Sequence, residues 1–465
     1  MKVAFVSGNR ERLPDAVIPL GLLYVMASTP ERHEKTLVDL CFEEQPLEAL
    51  TQHLRAFQPD VVALGMRNIQ GADYTGVKDS LDHYAGLVEA IREVTRAPIV
   101  MGGGGFSIMP RALLARLRPD YGISGDGELA FQQLLDALER GRGFEAVSNL
   151  HWFSGDAVIS NPPPPGFPDM NALPEPDRSL VDERYYRDSG IESLQTKRGC
   201  PLRCDYCTYP IIEGRIGRVR DPILVADEFE RIRSQRALAN HVFLVDSVFN
   251  LPMRHAKAVC RELVSRDAPL PWTCYVNPLG FDAELAELMA RSRCAGIEVG
   301  SDSGSEKTLD RLRKGFTTDH VRKLHALARS VGILDCHTFI LGTPGEDLEE
   351  VRRTLDFIAD LDPSHVILMI WTDDAEAVHP ELATNRRHLR ESILEILDAR
   401  KHEFPCWSIP ELGINYDRKL FRLLRSQGLQ GPLWQHSRRL LSAQAAGRKS
   451  AHQSPTTKNG TTETT

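Results

Sequence analysis

No apolar run in this chain of 465 residues reaches the roughly 18 residues that a transmembrane helix requires. The beginning, MKVAFVSGNRER, is a short apolar segment followed by charged residues, and it lacks the pattern of a secretory signal peptide. Basic residues are in the minority, with 56 Lys and Arg against 64 Asp and Glu, which gives a net charge of -8. This balance argues against a nucleic-acid partner, which usually requires a dominant basic surface. The sequence therefore predicts a cytoplasmic protein with no membrane or nucleic-acid partner.

The cysteines also lack the arrangement of a disulfide framework. Six of the nine cysteines are isolated in apolar surroundings, namely Cys41, Cys260, Cys274, Cys294, Cys336 and Cys406. We expect these six to be buried free thiols, because Cys is among the most buried residue types. Isolated thiols in a chain without an export signal indicate a reducing compartment. The other three cysteines lie close together and need a separate explanation.

The pattern along the chain predicts several segments of different character. The stretch NPPPPGFPDMNALPEPD (161–177) contains the prolines that interrupt regular structure, and the end of the chain is polar and low in complexity. We predict a Rossmann-like domain at 1–145, a linker at 146–189, a partial barrel at 190–375, a helical segment at 376–441 and a disordered tail at 442–465.

The first domain is predicted from apolar strands that alternate with amphipathic helices. The strand segments are KVAFVS, KTLVDL, DVVALGM, PIVMGG and YGIS, and a helical pattern follows each of them. Strands that are apolar throughout indicate a parallel sheet covered by helices on both faces. This predicts a doubly wound α/β domain, in which ligands bind at the carboxyl ends of the strands.

A second alternation of strands and helices begins at about residue 193. Its strand segments are ESLQTKRG, HVFLVDS, PWTCYVNP, CAGIEVGS, LDCHTFILG and HVILMIW. Six strand–helix steps predict a partial (β/α)6 barrel, since a full barrel would need two more strands. The segment after about residue 380 has a basic, helical pattern.

The three clustered cysteines, Cys200, Cys204 and Cys207, lie in KRGCPLRCDYCTYP with the spacing C-x-x-x-C-x-x-C. A structural zinc site is one alternative, but such sites usually have a fourth ligand, commonly from a second C-x-x-C, which the sequence lacks. Three thiolates on a [4Fe–4S] cluster leave one iron without a protein ligand. An open iron can bind the amino and carboxylate groups of S-adenosylmethionine (SAM). The motif therefore favours an iron–sulfur cluster over zinc.

The spacing, together with Tyr206 before the last cysteine, resembles the radical SAM superfamily. The resemblance covers roughly residues 190–370 and extends to the strand-end segments VDSVFN, GSDSGSEKTLDRLRKGFT and TFILGTPGED. It implies that SAM is bound by Tyr206, Asp246, Asp302, Ser303 and Gly342. Polar residues at strand ends can instead cap the following helix, and this alternative stays open for Asp246 and Asp302.

An α/β domain ahead of such a barrel resembles the cobalamin-binding radical SAM enzymes. The matching segments are PLGLLYVMA, ALGMRNIQG, IVMGGGGFSIMP and GISGDGE. The resemblance implies that cobalamin contacts Arg67, Gly102, Gly103, Gly104, Gly105, Gly125 and Glu128. Glycine has no Cβ to hold a ligand away from the backbone. A glycine run before a helix is also compatible with a tight turn or a phosphate site.

The loop after the first strand departs from one type of cobalamin domain. Domains of the methionine synthase type carry D-x-H-x-x-G there, whereas SGNRERLPDAVIPLG contains no histidine. Either this domain is a degenerate scaffold or it binds cobalamin without a histidine ligand, and the glycine-rich segments favour the second interpretation. We expect Arg67 near the lower corrin face, where a guanidinium cannot ligate cobalt. The alternative is that Arg67 pairs with a carboxylate or with a corrin amide.

The resemblance implies a cobalamin-dependent radical SAM methyltransferase that acts on a carbon centre of a small molecule. One SAM would methylate the cobalamin, a second would yield a 5′-deoxyadenosyl radical, and a flavodoxin- or ferredoxin-type donor would supply electrons. Two alternatives remain open: a cyclisation or rearrangement with the same cofactors, and a non-catalytic iron–sulfur or corrinoid-binding regulator. The catalytic residues stay unassigned. Part of the segment 370–440 is expected to close the barrel mouth and select the substrate, including Trp371, Asp373, Asp374, His379 and Trp407.

Overall fold

Two seven-stranded sheets organise the protein. The computed structural model describes residues 1–12, 14–69, 77–371, 387–401, 406–412 and 418–440. The predicted tail at 442–465 and the residues Asp373, Asp374 and His379 lie outside these ranges. Within them, every helix is too short or too polar to cross a membrane.

The first sheet and its helices come from the first 160 residues. The elements are β1 (Lys2–Ser7), α1 (Leu20–Ser28), β2 (Glu34–Asp39), α2 (Pro46–Phe57), β3 (Val61–Gly65), α3 (Val77–Val94), β4 (Ile99–Gly102), α4 (Gly104–Ile108), α5 (Pro110–Leu117), β5 (Tyr121–Ile123), α6 (Glu128–Arg140), β6 (Leu150–Ser154) and β7 (Ala157–Ser160). The strand order is β2-β1-β3-β4-β5-β6-β7, and the first five strands are parallel.

Helices cover both faces of this sheet, which confirms the predicted doubly wound domain. Along β1, Val3 and Phe5 pack in the apolar core beneath α1 and α6. The alternate residues Ala4 and Val6 pack in the core beneath α2, α3 and α5. Because side chains alternate between the faces of a strand, a strand covered on both faces is apolar at every position. The strand order reverses direction at β1, which is where ligands of such sheets bind.

The first sheet extends into the range predicted as a linker. The strands β6 and β7 form a hairpin, and β6 pairs antiparallel with β5. The sequence pattern did not reveal them, because both strands are short and β7 is largely exposed. The proline-rich stretch 161–177 contains no helix or strand, as predicted.

The second sheet belongs to the predicted barrel. The elements are α7 (Arg184–Arg187), β8 (Ile191–Leu194), β9 (Lys197–Arg198), α8 (Tyr209–Ile212), β10 (Arg218–Val219), α9 (Pro222–Gln235), β11 (His241–Leu244), α10 (Met253–Ser265), β12 (Trp272–Val276), α11 (Ala283–Arg291), β13 (Cys294–Asp302), α12 (Glu306–Arg311), α13 (Thr318–Ser330), β14 (Leu334–Leu341), α14 (Leu348–Leu361), β15 (His365–Ile370), α15 (Arg387–Arg400), β16 (Trp407–Ser408) and α16 (Arg418–Ser426).

The barrel strands follow one another in the order β8-β11-β12-β13-β14-β15-β16, and all are parallel. The six predicted strands are confirmed. The segment predicted as helical at 376–441 contains α15 and α16, and it also contributes β16, a seventh strand beside β15 that the sequence did not predict. Two residues are too few to show the alternating pattern of a strand. The isolated thiols are buried as expected, except that Cys406 is partly exposed.

A buried ion network fixes the end of the predicted linker to the barrel edge. Arg178 lies 2.5 Å from Glu228 on α9 and 3.3 Å from Glu192 on β8. Its guanidinium also donates to the carbonyl of Ser193 at 3.0 Å. Arg220 is the second cation at Glu228, 2.6 Å away. Burial disfavours the charge of Arg178, but the two carboxylates raise its pKa above the usual value.

Replacing Arg178 with Ala should destabilise the protein by about 3–5 kcal/mol, because two buried carboxylates lose a cation. Urea unfolding followed by circular dichroism would measure the change. Arg353→Ala is the matched control: Arg353 is exposed and pairs only with Glu349 on the same helix, so we expect about 1 kcal/mol or less. Equal effects of the two substitutions would contradict a structural role for the buried network.

Candidate active site

A cavity of about 1210 Å³ lies where the carboxyl ends of both sheets meet. The first domain contributes residues that follow its strands, including Asn9 after β1, Arg67 after β3 and Gly103 after β4. The barrel contributes Asn277 after β12 and Asp302 at the end of β13. The strand-end rule for parallel sheets therefore holds for both domains, and one cavity serves both.

Most of the site residues predicted from the sequence meet in this cavity. Those that line it are Arg67, Gly102, Gly103, Gly104, Gly125, Glu128, Cys200, Cys204, Cys207, Tyr206 and Asp302. Those that do not line it are Gly105, Asp246, Ser303 and Gly342.

The loop with the three cysteines lies between β9 and α8. Cys200 is buried, whereas Cys204 and Cys207 are half-buried, and none of the three is in a disulfide. Gly199 precedes the loop with φ of +85°, and a Cβ there would lie 2.1 Å from the carbonyl oxygen of Ile216. Only glycine therefore lets the chain enter this loop.

The donor set in the loop fits a [4Fe–4S] cluster. Burial raises the pKa of the Cys207 thiol to about 11, while a backbone hydrogen bond from Tyr209 and the charge of Lys314 lower it. A buried thiol of this kind loses its proton when a metal binds. No fourth cysteine lines the cavity among the residues that the structure describes. Three sulfurs without a fourth suit a cluster with one open iron better than a closed zinc site.

Asp302 connects the cysteine loop to β13. Its carboxylate lies 2.6 Å from the Lys314 ammonium and accepts the Tyr206 hydroxyl at 2.5 Å. The Lys314 ammonium also lies 3.2 Å from the Tyr206 hydroxyl. Burial disfavours the charge of Lys314, but Asp302 raises its pKa above the usual value. Because Tyr206 immediately precedes Cys207, this triad sets the position of the cysteine loop.

Sequence reasoning missed Lys314, although it lies in the segment that pointed to Asp302. The signal was weak, since a basic residue after a short helix is usually solvated. Here its side chain is 5% exposed. A lysine at that depth needs a carboxylate partner, so only the fold identifies the pair.

Asp246 and Ser303 support the site from behind the cavity wall. Asp246 accepts hydrogen bonds from Thr196 N at 2.7 Å and Lys197 N at 3.1 Å, and so ties the end of β11 to the chain leading to the cysteines. The Ser303 hydroxyl accepts from Ser305 N at 3.1 Å and bonds Thr354. Both side chains therefore have partners within the protein.

Gly342 also lies outside the cavity wall. It has φ of +77°, and a Cβ there would lie 2.9 Å from the side chain of Ile393. Its backbone conformation at the turn after β14 therefore requires glycine.

The glycine run after β4 has a structural use that the sequence did not show. A Cβ on Gly103 would lie 2.5 Å from the Met66 carbonyl oxygen, and one on Gly105 would lie 2.8 Å from the backbone of Asn68. These two glycines let the loops after β3 and β4 pack together. The cavity wall that results, at Gly102–Gly104, is bare backbone, which suits a broad, flat ligand such as a corrin.

Arg67 projects from the loop after β3, and its side chain is 41% exposed. Its Nη1 lies 3.6 Å from a carboxylate oxygen of Glu11, which also accepts from Asn68 at 2.8 Å. The carboxylate-paired alternative is therefore realised. No histidine of the first domain lines the cavity among the described residues. The wall fits a cobalamin that receives no nitrogen ligand from this domain.

The segment GISGDGE forms ion pairs that the sequence did not predict. Glu128 lies 2.6 Å from Arg198, and Asp126 lies 2.8 Å from the same guanidinium. Asp126 also forms a short ion pair with Arg218. We call these four residues the interdomain clamp. Glu128 lines the cavity, but its carboxylate is used by the clamp because Arg198 is almost completely buried there.

The clamp joins the loop after β5 in the first domain to the ribbon of β9 and β10 that flanks the cysteines. Burial disfavours the charge of Arg198, but Glu128 and Asp126 raise its pKa above the usual value. Sequence reasoning missed Arg198, since two basic residues before a loop, as in KRGC, are usually solvated. A partner 70 residues away leaves no local pattern.

The chain after residue 418 closes the barrel end of the cavity. Leu420, Phe421 and Leu424 of α16 line it, and Arg425 donates to Asp15 of the first domain at 3.0 Å. Trp371 packs edge-on against Tyr206 with ring centroids 5.8 Å apart. Trp407 is instead buried in the core beneath α14, so its predicted place at the barrel mouth is wrong.

Comparison with known proteins finds similarity over both domains. Family models match for the radical SAM superfamily over residues 194–358 and for the B12 binding domain over residues 8–135. A tryptophan 2-C-methyltransferase of Streptomyces laurentii is 29% identical, over 77% of this chain and 70% of that protein. An uncharacterised methyltransferase of Pyrococcus horikoshii is 26% identical, over 76% of each.

A solved structure shows the same arrangement of domains. It is the radical SAM methyltransferase TsrM of Kitasatospora setae with cobalamin and a [4Fe–4S] cluster bound. It aligns with a TM-score of 0.70 at 27% identity, over 79% of this chain and 72% of that one.

Replacing Cys200, Cys204 and Cys207 together with Ala should abolish cluster binding, because no other thiol reaches the cavity. Anaerobic reconstitution should give about four irons per chain in the wild type and none in the triple variant, by iron and sulfide analysis. Cys274→Ala is the control, since Cys274 is buried in the barrel core. Iron retained by the triple variant would contradict the assignment.

Replacing Arg198 with Met should destabilise the docked domains by about 3–5 kcal/mol, because Glu128 is left buried without a cation. The double variant Arg198→Met, Glu128→Gln should recover much of this loss, since Asp126 keeps Arg218. Urea unfolding and the rate of proteolysis within 161–177 would measure both effects. No recovery in the double variant would show that the clamp is not what joins the domains.

Proposed function

This chain belongs to the cobalamin-binding radical SAM enzymes, whose cofactors are a [4Fe–4S] cluster, SAM and cobalamin, and we propose that it methylates a carbon atom of a small molecule. The observation that supports the proposal most directly is the shared cavity. The three thiols of the cysteine loop and the bare backbone at Gly102–Gly104 line the same space. A methyl group can then pass from carrier to substrate without leaving the protein.

When bound, these cofactors supply the electron that cleaves SAM and the carrier for the methyl group. We assign the cluster to Cys200, Cys204 and Cys207. Tyr206 holds the loop by its hydrogen bond to Asp302, which places the third cysteine beside the end of β13. The proposal carries Tyr206 and Asp302 over as SAM contacts, because both line the cavity next to the cysteines.

The first domain is proposed to bind cobalamin over the loops after β3, β4 and β5. Gly102, Gly103, Gly104 and Gly125 present backbone to the cavity. A guanidinium has no lone pair to offer cobalt, so Arg67 would border the cobalamin without acting as a ligand. The bound cobalamin would supply the carrier for the methyl group. The electrons would come from a flavodoxin- or ferredoxin-type protein.

The substrate is proposed to occupy the barrel part of the cavity. Phe243, Tyr275, Ile340 and Met369 line this part, so the substrate has an apolar or aromatic body. The Streptomyces laurentii relative is named for the C2 position of tryptophan, and TsrM has been determined with tryptophan and a SAM analogue bound. Aromatic compounds with an indole ring are therefore the first substrates to test.

The test combines cofactor content with the fate of the methyl group. Protein expressed with ample cobalamin should contain corrinoid and cluster together, with the cob(II)alamin in its base-off form and without nitrogen splitting in its paramagnetic spectrum. Under reductant, label from methyl-labelled SAM should appear in the product of an indole acceptor, with 5′-deoxyadenosine released if hydrogen abstraction starts the reaction. Product without label would favour cyclisation or rearrangement. Absence of corrinoid would make the first domain a scaffold and refute methyl transfer.

A further inference from the structure

One carboxylate inside the barrel, Glu298, has no part in the site described so far. Along β13, Glu298, Val299, Gly300 and Asp302 line the cavity. The strand is irregular between Gly300 and Asp302, so Glu298 lies on the order of 10 Å along the strand from Asp302. It is therefore deep in the barrel, while Asp302 and the cysteine loop lie at the carboxyl end.

The chain after α16 closes the cavity over Glu298. The indole nitrogen of Trp434 donates to the Glu298 carboxylate at 3.0 Å. The Trp434 ring occupies the space beside Gly296, where a Cβ would lie 2.5 Å from it. The neutral Tyr275 side chain on β12 also lowers the pKa of this carboxyl. Glu298 is thus held at this end of the cavity by the hydrogen bond from Trp434, with the neutral Tyr275 side chain beside it.

Glu298 differs from the other acidic side chains of the cavity in lacking a cation. Among the described residues that line it, the ion-paired acids are Asp15 with Arg425, Asp126 and Glu128 with Arg198, and Asp302 with Lys314. Glu213 accepts from the backbone of Gly199 and is stabilised by the charges of Arg198 and Lys197. Glu298 forms no ion pair with any described residue; it accepts a hydrogen bond from Trp434 and lies beside the neutral Tyr275.

A carboxylate buried without a cation is costly to ionise. Burial raises the pKa of Glu298 to about 7, and the interactions with Trp434 and Tyr275 only partly offset this effect. A bound cation would remove the cost. The arrangement therefore favours a ligand that brings a positive charge to this end of the cavity.

The titratable groups around Glu298 keep one charge state near neutral pH. Burial raises the pKa of Tyr209 to about 12. The charge of Glu298 and burial raise that of Tyr275, and burial raises that of Cys336 on β14. His365 on β15 bonds Ser408 and Ser437 through its two ring nitrogens, and burial lowers its pKa to about 3. The charge of Arg67 partly offsets the raised pKa of Tyr275. Glu298 is the group here that changes charge.

We propose that Glu298 is the anchor for an ammonium group of the substrate, whose apolar body extends past Gly300 towards Asp302 and the cofactors. This inference rests on the proposed function, since it takes the barrel cavity as the substrate site. Gly300 suits such a path because it presents no side chain between the two acids. The substrate class is therefore an amine with an apolar body that spans the distance between Glu298 and the cofactor end.

The charge linkage gives a direction for pH dependence. Below the pKa of Glu298 the carboxyl is protonated, and an ammonium must displace its proton in order to bind. Above that pKa the carboxyl is already ionised and can pair with the ammonium directly. Affinity for an ammonium should therefore rise from pH 6 to pH 8, because the amine itself stays protonated over this range.

The experiment uses three indoles that share a ring and differ in charge: tryptamine, tryptophol and indole-3-acetate. Their binding to the reconstituted protein is measured by equilibrium dialysis at pH 8. Tryptamine should bind wild type at least about tenfold more tightly than it binds Glu298→Gln, which corresponds to the loss of one charged hydrogen bond. Tryptophol should bind the two proteins equally, and indole-3-acetate should bind wild type no better than the variant. Glu287→Gln, an exposed position on α11, is the matched control.

A second variant keeps the carboxylate and moves its titration. Trp434→Phe removes one hydrogen-bond donor to Glu298, so the pH midpoint for tryptamine binding should shift upwards. Glu298→Gln should show no midpoint between pH 6 and 8. Iron content and charge-transfer absorption, measured on each variant, show whether the fold and the cluster are intact.

Equal affinity of tryptamine for wild type and Glu298→Gln would overturn the proposal. Absence of tryptamine binding to wild type would overturn it as well. The proposed function is tested separately, by corrinoid content and by label from SAM. Selective tryptamine binding without methyl transfer would uphold the anchor and refute the methyltransferase. Methyl transfer together with equal tryptamine affinity for wild type and Glu298→Gln would support the methyltransferase and refute the anchor.

Discussion

The buried pairing of Arg198 with Asp126 and Glu128 is the contact on which the site depends. It joins a loop of the first sheet to the chain segment that enters the cysteine loop. Charges removed from water must be paired with good geometry, and the docking of the two domains provides that pairing. The glycine-rich wall and the cysteine loop therefore line one cavity. Arg425 and Asp15 make a second charged contact between the first domain and the C-terminal chain.

The two sheets contribute in the same way because the strands that lead to the site are parallel in both, namely β1–β5 in the first sheet and all the barrel strands in the second. In a parallel sheet all carboxyl ends lie at one edge, and the loops that leave them are free to carry function. The loops after β3 and β4 can approach closely only because Gly103 and Gly105 have no Cβ. The cysteine loop likewise depends on Gly199. Backbone conformation, rather than side-chain chemistry, thus shapes the walls, and a few charged groups set the chemistry within them.

Within the barrel the charges are arranged along β13. Asp302 at the strand end is neutralised by Lys314 and Tyr206, whereas Glu298 deeper in the strand has only neutral partners. Through these two contacts Asp302 holds the cysteine loop in place. A carboxyl with a pKa near neutral, such as Glu298, can instead lose its proton when a cationic ligand binds. The same strand thus carries Asp302, which holds the cysteine loop, and Glu298, whose protonation can change at the substrate end.

The sequence by itself determined the fold class, the strand and helix pattern and the cysteine motif. These depend on local periodicity and spacing, which apolar strands such as KVAFVS and the segment KRGCPLRCDYC show directly. Strand-end positions such as Asp302 were identified by the resemblance of their segments to radical SAM enzymes. The short strands β7 and β16 did not, because their residues carry no clear period. Only the tertiary structure decided that Glu128 pairs with Arg198, that Asp246 supports a loop and that Glu298 has no cation. Each of these facts depends on which distant residue lies within a few ångströms, and burial makes that neighbour decisive for a charged group.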